Sequence, residues 1–409
     1  MTTQTSIPCG WDVVTLGEVL DQRKELIQPD GNEDIWFVGL EHIGSGESTL
    51  HSWTPATDVK STKFRFYEGD LLYGKLRPYL DKAVEAPFEG ICSTDILALV
   101  PKIERESARY LLYTIHSQSF IQYAMSHTSG TNHPRTSWNA ISQYKFLFPP
   151  KNERQKIGTI LSTVDTAIQK SKVATEETER LKQGMMRELL IKGIRHTEFK
   201  ENEMLGRLPK GWYLKKIVDL FDIKTGTTPP TKVSKYWKEG TIQWYTPADL
   251  SNVGEKILLS ESEKKITVEA YRETNINLIP SDSIILSTRA PVGTIGITKS
   301  DATFNQGCKG LIPRNVTETN VRFYYYYLQF KKSDLVNRSS GSTFKELSKD
   351  LLESYVVPVP ESSEQKFIAT ILSTIDRKIE LQRNRTAALE QLKQGLMNDL
   401  LTGKRRVMA

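Results

Sequence analysis

"ILSTVD" occupies Ile160 to Asp165, and "ILSTID" occupies Ile371 to Asp376, 211 positions later. The match extends on both sides. "ERQKIGTILSTVDTAIQKSKVATEETERLKQGMMRELL" begins at Glu153, and "EQKFIATILSTIDRKIELQRNRTAALEQLKQGLMNDLL" begins at Glu364. They align without a gap and share "LKQG" at Leu181 and Leu392. A period of half the chain is far too long for a solenoid, so it marks two similar modules. The preceding segments correspond more weakly. "IPCGWDVVTLGEVL" from Ile7 resembles "LPKGWYLKKIVDLF" from Leu208. "EGDLLYGKLRP" from Glu68 resembles "PSDSIILSTRAP" from Pro280, which aligns Asp70 with Asp282 and Arg77 with Arg289.

Within each copy the apolar residues recur at intervals of three and four, as on an amphipathic helix. The first copy places Ile157, Leu161, Val164 and Ile168 on one stripe, continued by Leu181 and Leu189 after a polar middle. The second places Ile368, Leu372, Ile375 and Ile379 there, continued by Leu389, Leu392, Leu396 and Leu400. Neither copy contains proline, and Gly193 and Gly403 stand where helix stops are expected. Each helix spans about 38 residues, or about 55–60 Å. A helix of that length outruns a globular core, so its stripe is expected to pair with the other copy as an antiparallel coiled coil about a pseudo-twofold. The simpler alternative is that each helix caps its own globule. The polar middles, "KSKVATEETE" and "LQRNRTAALE", are expected to pack weakly.

The globules carry short β-branched and aromatic runs between turn residues: "DIWFVGL", "GDLLYGKL" and "DILALV" in the first, "TIQWYTPADL", "DSIILSTRA", "TIGITKS" and "GLIP" in the second. These read as strands. Each globule also has one expected helix, "ARYLLYTIHSQSFIQYAMS" and "VRFYYYYLQFKKSDLVNRS"; of Tyr324 to Tyr327, one or two are expected to be exposed. The fold class is α+β. The expected organisation is a first globule over 1–150, a long helix over 151–193, a linker over 194–208, a second globule over 209–360, a long helix over 361–403 and a basic tail over 404–409.

Composition bounds the function. The chain has 409 residues and a net charge of +6. Residues 10–150 hold 13 Lys and Arg against 18 Asp and Glu, a net −5, while residues 209–360 hold 21 against 16, a net +5. A first globule that touches a polyanion must do so through a local basic face. There is no signal-like start and no long apolar run, so a soluble, cytoplasmic protein is expected, with no membrane partner. Cys9, Cys92 and Cys308 have no paired spacing, and the six histidines lack metal-ligand spacing. "VGTIGITKS" lacks the glycine before Lys299 that a phosphate-binding loop requires. Pro247, Asp249, Glu263 and Lys265 imitate a metal-dependent nuclease pattern only loosely. No glycine-rich turn suits a dinucleotide or S-adenosylmethionine. The chain reads as a binding protein without catalytic or metal residues.

Several loops suit nucleic acid. "KTGTTPPTK" offers Lys224, Thr225, Gly226, Thr227, Thr228 and Lys232, small and basic groups that approach phosphates or base edges closely. Arg289 stands on a strand-to-turn edge. "FNQGCKG" offers Asn305 and Gln306, side chains suited to bidentate contact with adenine, with Lys309 beside them. "SSGSTFK" offers Ser342, Thr343 and Lys345, and "TSGTNHPR" in the first globule offers Thr131, Asn132 and Arg135. Lys75 and Arg77 complete that set. The structural alternative is that Arg77 and Arg289 pair with Asp70 and Asp282.

The whole chain resembles the specificity subunits of type I restriction-modification systems. The resemblance rests on "TGTTP" at Thr225, "IQWYTPADL" at Ile242, "FNQGCKG" at Phe304, "GSTFKELS" at Gly341 and the "EQ…ILSTID…LKQGLMNDLLTGK" region from Glu364. The first module departs from it, with "TLGEVLDQRKEL" in place of a "TGTTP" loop. The resemblance implies two target-recognition domains, each reading one half of a split site in double-stranded DNA. It implies helices that set the distance between the halves and dock two modification subunits, which bring S-adenosylmethionine and methylate adenine. Two restriction subunits, with ATP and magnesium, join where the system cuts, and this chain binds no cofactor itself. The rivals are a stand-alone nuclease or methyltransferase with degenerate motifs, and a coiled-coil adaptor that binds no DNA.

Overall fold

The computed structural model describes residues 7–29, 35–252, 257–339 and 346–407. The long helices span Lys151–Lys192 and Ser362–Leu401. The chain divides into two units, Met1–Ala174 with Gln382–Ala409, and Thr175–Leu381. Each unit therefore holds one globule, the start of the helix that follows it and the end of the other long helix.

The two globules share a topology. In the first, an antiparallel sheet is ordered Leu20–Gln22, Ile96–Pro101, Leu71–Gly74, Ala83–Glu85. In the second the same order is Phe221–Thr225, Cys308–Pro313, Ile284–Ser287, Ile295–Thr298, extended by Leu258–Leu259. A second sheet in each contains one parallel pair, Trp36–Val38 with Gly90–Cys92, and Ile242–Tyr245 with Ala302–Phe304. Hydrophobic residues facing both sides bury the inner strands Leu71–Gly74, Ile284–Ser287 and Ile295–Thr298 along their whole length.

Backbone pairing corrects the sequence alignment of the modules by one residue. The Ala86 amide donates to the Asp70 carbonyl as the Thr298 amide does to Ser283, and the amides of Gly69 and Asp282 donate to the carbonyls of Ala86 and Thr298. Asp282 thus matches Gly69, not Asp70, and both have left-handed backbones, φ 55° and 87°. Glycine takes that conformation freely and aspartate tolerates it. The same shift sets Arg289 against Leu76 rather than Arg77.

Each expected globule helix is in fact two. Arg105–Ile115 is followed by Gln118–Ser126, and Val321–Phe330 by Lys332–Arg338. Ser117 starts the second of the first pair by accepting the Phe120 amide at 3.3 Å. All four tyrosines from Tyr324 to Tyr327 are buried, none exposed. They lie in a core shared with the sheet and the long helices, where the Tyr326 hydroxyl donates to Asp376 at 2.6 Å and the Tyr324 hydroxyl to the Pro358 carbonyl at 3.3 Å.

Within each unit the long helices run antiparallel. In the first, Asp165 meets Lys393, and Ser171 meets Gln382 and Thr386. In the second, Lys182 meets Asp376. The stripe ends also enter the globules. Ile157 and Leu161 share a core with Trp11, Tyr110, Met397 and Leu400, and Leu396 packs against it. Leu189, Ile368 and Leu372 share one with Trp212 and Phe323. Helix pairing and globule capping therefore both occur. Ile168 and Ile379 are buried, while Val164, Ile375 and Leu389 are half-buried. Leu181 and Leu392 leave the stripe, at 52% and 50% exposure. One residue on, Lys182 and Lys393 turn inward instead, because each meets an aspartate that is itself largely covered, Asp376 and Asp165. The polar middle is closely packed rather than loose: Ser171, Thr175 and Thr178 are buried, and the Thr386 hydroxyl donates to Ser171 at 2.8 Å.

The helix ends are anchored alike in both units. The indole of Trp11 donates to Glu153 and that of Trp212 to Glu364, each at 2.9 Å. Arg406 completes the first site at 2.8 Å, and His196 the second at 2.9 Å. Gly193 and Gly403 end the helices with φ 67° and 68°.

Candidate nucleic-acid interface

In the second globule one edge of the main sheet gathers the predicted loops. The strand Phe221–Thr225 ends there, Ile284–Ser287 ends there, and Cys308–Pro313 begins there. The loop after Thr225 is held tightly. The Thr227 amide donates to the Phe304 carbonyl at 2.9 Å, and the Trp244 indole donates to the Thr227 carbonyl at 3.0 Å. The Asn277 side-chain NH2 donates to the Thr225 carbonyl at 2.8 Å. A Cβ on Gly226 would lie 1.9 Å from the Asn305 carbonyl oxygen, so only glycine fits. The Thr228 hydroxyl donates to exposed Gln306. The Asn305 side-chain oxygen accepts from the Gly307 amide at 2.9 Å, which fixes the side chain against its own turn.

Arg289 is exposed, with its amide on the Gly307 carbonyl and its guanidinium 3.3 Å from Glu346. Lys309 lies nearby at 6% exposure. Burial lowers its pKa; Glu346 opposes that shift and Arg289 adds to it. Lys224 pairs with Asp222 at 2.8 Å, and Lys232 is exposed farther along its loop. Ser342, Thr343 and Lys345 lie outside the described residues.

The same edge of the first globule assembles Lys75, Arg77 and the segment from Thr131 to Thr136. The Arg77 amide donates to the Pro134 carbonyl at 2.7 Å, and the Thr136 amide to the Lys75 carbonyl at 3.0 Å. Arg77 takes a left-handed backbone, φ 51°, which is strained for a residue other than glycine. Its guanidinium is 3.4 Å from His133. Arg135 binds Asp95 through two contacts, 2.9 and 3.2 Å, which depresses the carboxyl's pKa. Thr131 and Asn132 are exposed. Neither arginine makes the structural pair considered above: Asp70 binds Arg23 instead, at 2.8 and 3.0 Å.

The sequence reading missed Glu346 and Asp95, the carboxylates at these two edges. Glu346 was visible inside "GSTFKELS", but an acid draws no attention in a search for polyanion contacts. Asp249 lies in the first turn of the helix Pro247–Asn252, accepting the Thr246 and Glu263 amides at 2.8 and 2.7 Å. Cys92 and Cys308 are buried thiols with raised pKa values. Among the described residues no group of three or more His, Cys, Asp or Glu side chains is arranged to hold a metal. Nor is any described helix long and apolar enough to cross a membrane.

The family model of the type I restriction modification DNA specificity domain matches residues 8–178 and 209–391, once per module. The chain is 37% identical over 203 residues to the MjaIX specificity subunit of Methanocaldococcus jannaschii, covering 50% of this chain and 46% of that one. It is 27% identical over 423 residues to the MjaVIII specificity subunit of the same organism, covering 98% and 94%. The crystal structure of a type I S subunit from M. genitalium has the same fold, with a TM-score of 0.63 over 98% of each chain at 17% identity. Two matched modules, each with a loop-bearing sheet edge and a long helix, lead to one assignment: the chain belongs to the type I restriction modification DNA specificity family, and it is a specificity chain rather than an enzyme.

Proposed function

We propose that the chain reads a bipartite site in duplex DNA, one half per globule, through the equivalent sheet edges. One observation carries this reading. Both globules gather cations and polar side chains at the same edge of the same sheet: Lys75, Arg77 and Arg135 in one, Arg289, Lys309 and Gln306 in the other. In the first globule this forms a local basic face on a body of net −5.

The long helices dock two modification subunits. Leu181 and Leu392 support this, being half exposed at equivalent places in the two copies, as a partner met twice requires. Those subunits bring S-adenosylmethionine; restriction subunits, where present, bring ATP and magnesium.

Arg289→Ala tests the DNA reading. If Arg289 reads guanine, discrimination at one base falls by about 1–3 kcal/mol. If it contacts phosphate, every duplex weakens alike and the salt slope shrinks by about one. Unchanged affinity with a lowered melting temperature would make it structural and remove it from the interface. Wild-type binding without salt dependence would remove the DNA reading altogether.

A further inference from the structure

Ser137 and Ser348 lie 211 positions apart, and each caps a short helix, accepting the amides of Ala140 at 3.3 Å and Leu351 at 3.2 Å. One residue earlier, the Thr136 amide donates to the Lys75 carbonyl and the Leu347 amide to the Thr288 carbonyl, at 3.0 and 2.9 Å. Lys75 and Thr288 are each the first residue after the equivalent strand. The residue before these amides therefore occupies one place in both globules. It is Arg135 in the first and Glu346 in the second, so the charge is reversed. Each faces the opposite charge on its own edge, Arg135 with Asp95 at 2.9 Å and Glu346 with Arg289 at 3.3 Å.

A carboxylate on a face that meets a polyanion repels every phosphate, whatever the sequence. It becomes favourable only where a base edge offers it a donor. In the major groove the exocyclic amines of cytosine and adenine do so, and guanine and thymine present acceptors at the corresponding points. Such a group rejects wrong sequences by repulsion while binding the right one, the combination that specificity requires. Arginine at the same place selects the opposite pattern, the paired acceptors of guanine.

We infer that the Arg135/Glu346 position determines specificity in both half-sites, with Glu346 selecting an amine-bearing base, cytosine above all, and Arg135 selecting guanine. This rests on the proposed reading that these edges face DNA. The competing role for Glu346 is to hold Arg289 in place. In that case loss of either residue has the same effect on base choice.

The test is selection by the full-length chain from a pool of duplexes with two randomised blocks and varied spacers, followed by sequencing. The wild type should enrich an amine-bearing base at one position of the second block. Glu346→Ala should relax that position by roughly 5- to 150-fold, the discrimination of one good base contact. It should leave the first block unchanged and bind the unselected pool more tightly. Arg289→Ala should alter a different position. Unchanged base choice in Glu346→Ala, uniform weakening at all positions, or a profile identical to that of Arg289→Ala overturns the inference. Should Glu346→Ala lower the melting temperature, Glu346→Asp decides: it keeps the charge and must keep the base, and a changed base is contrary. A wild type that enriches no sequence would defeat the DNA reading itself, a result distinct from these.

Discussion

Lys393 stands 2.6 Å from Asp165, and the two side chains are only 8% and 13% exposed. The Tyr113 hydroxyl donates to the same aspartate at 2.7 Å, and Ser48 does so at 2.5 Å. The arrangement recurs in the second unit. Lys182 lies 2.6 Å from Asp376, and Tyr326 donates to that aspartate. A buried ion pair adds little net stability over an apolar pair, but it fixes which residues meet. Each unit thus has, along the paired helices, a polar point that ties globule, first helix and second helix together in a single register.

Removing one partner leaves the other charge uncompensated. Lys393→Ala should destabilise the first unit by about 3–5 kcal/mol. The double variant Lys393→Met, Asp165→Asn removes both charges and keeps an acceptor for Tyr113, so it should lose markedly less. Urea unfolding of both variants measures the difference. A double variant as unstable as the single one would mean that the pair is not coupled.

The first unit should also weaken in acid through Glu153. Burial alone would raise the pKa of this carboxyl, but Arg406 and Trp11 outweigh burial and hold it below the ordinary value. Its contribution is therefore fully present above the unfolded carboxylate pKa of about 4.3. It is lost as pH falls through the lower folded value. Glu153→Gln should cost about 1.5–3 kcal/mol at neutral pH, the scale of a charge-assisted hydrogen bond. The variant should show a flatter loss of melting temperature below that range. An acid profile parallel to wild type would assign the acid sensitivity elsewhere.

The repeat, the long helices and the inner strands of each main sheet were legible because they rest on periodicity, which a single sequence carries in full. The inward turn of Lys182 and Lys393 was not. "LKQG" offers a leucine beside a lysine, and lysine is almost never buried unless paired. Its partners, Asp376 and Asp165, lie on the other long helix of each pair, so nothing local announces them. The one-residue shift between Asp282 and Gly69 was hidden for a related reason: matching letters favoured Asp70, whereas matching backbone conformation decided the register. At the interface, loop composition pointed to Thr225–Thr228 and Arg289. It did not reveal that Asn305 is committed to its own turn, or that Glu346 takes the place of Arg135.

The close packing of Ser171 against Thr386 changes what a length variant must look like. An insertion after Thr175 alone would disturb these contacts and lower the melting temperature. Gln382 donates to the Ala174 carbonyl at 3.3 Å, so four residues inserted after Thr175 and four after Leu381 lengthen both antiparallel helices at one level and leave Ser171 opposite Thr386. The insertion adds about 6 Å and about 40° of rotation. One base pair adds about 3.4 Å and about 34–36°. The expected outcome in a methylation map is unchanged half-sites with a spacer longer by one base pair. An unchanged spacer at full methylation would mean that the helices do not set the distance.

The central claim is that each globule reads its half-site independently. Its most direct measurement is a methylation map after residues 209–360 are replaced by the corresponding domain of another specificity subunit, with modification subunits supplied. One half of the target should change to the donor's, while the other half remains that of the native chain. A map in which both halves change, or neither does, would contradict the account.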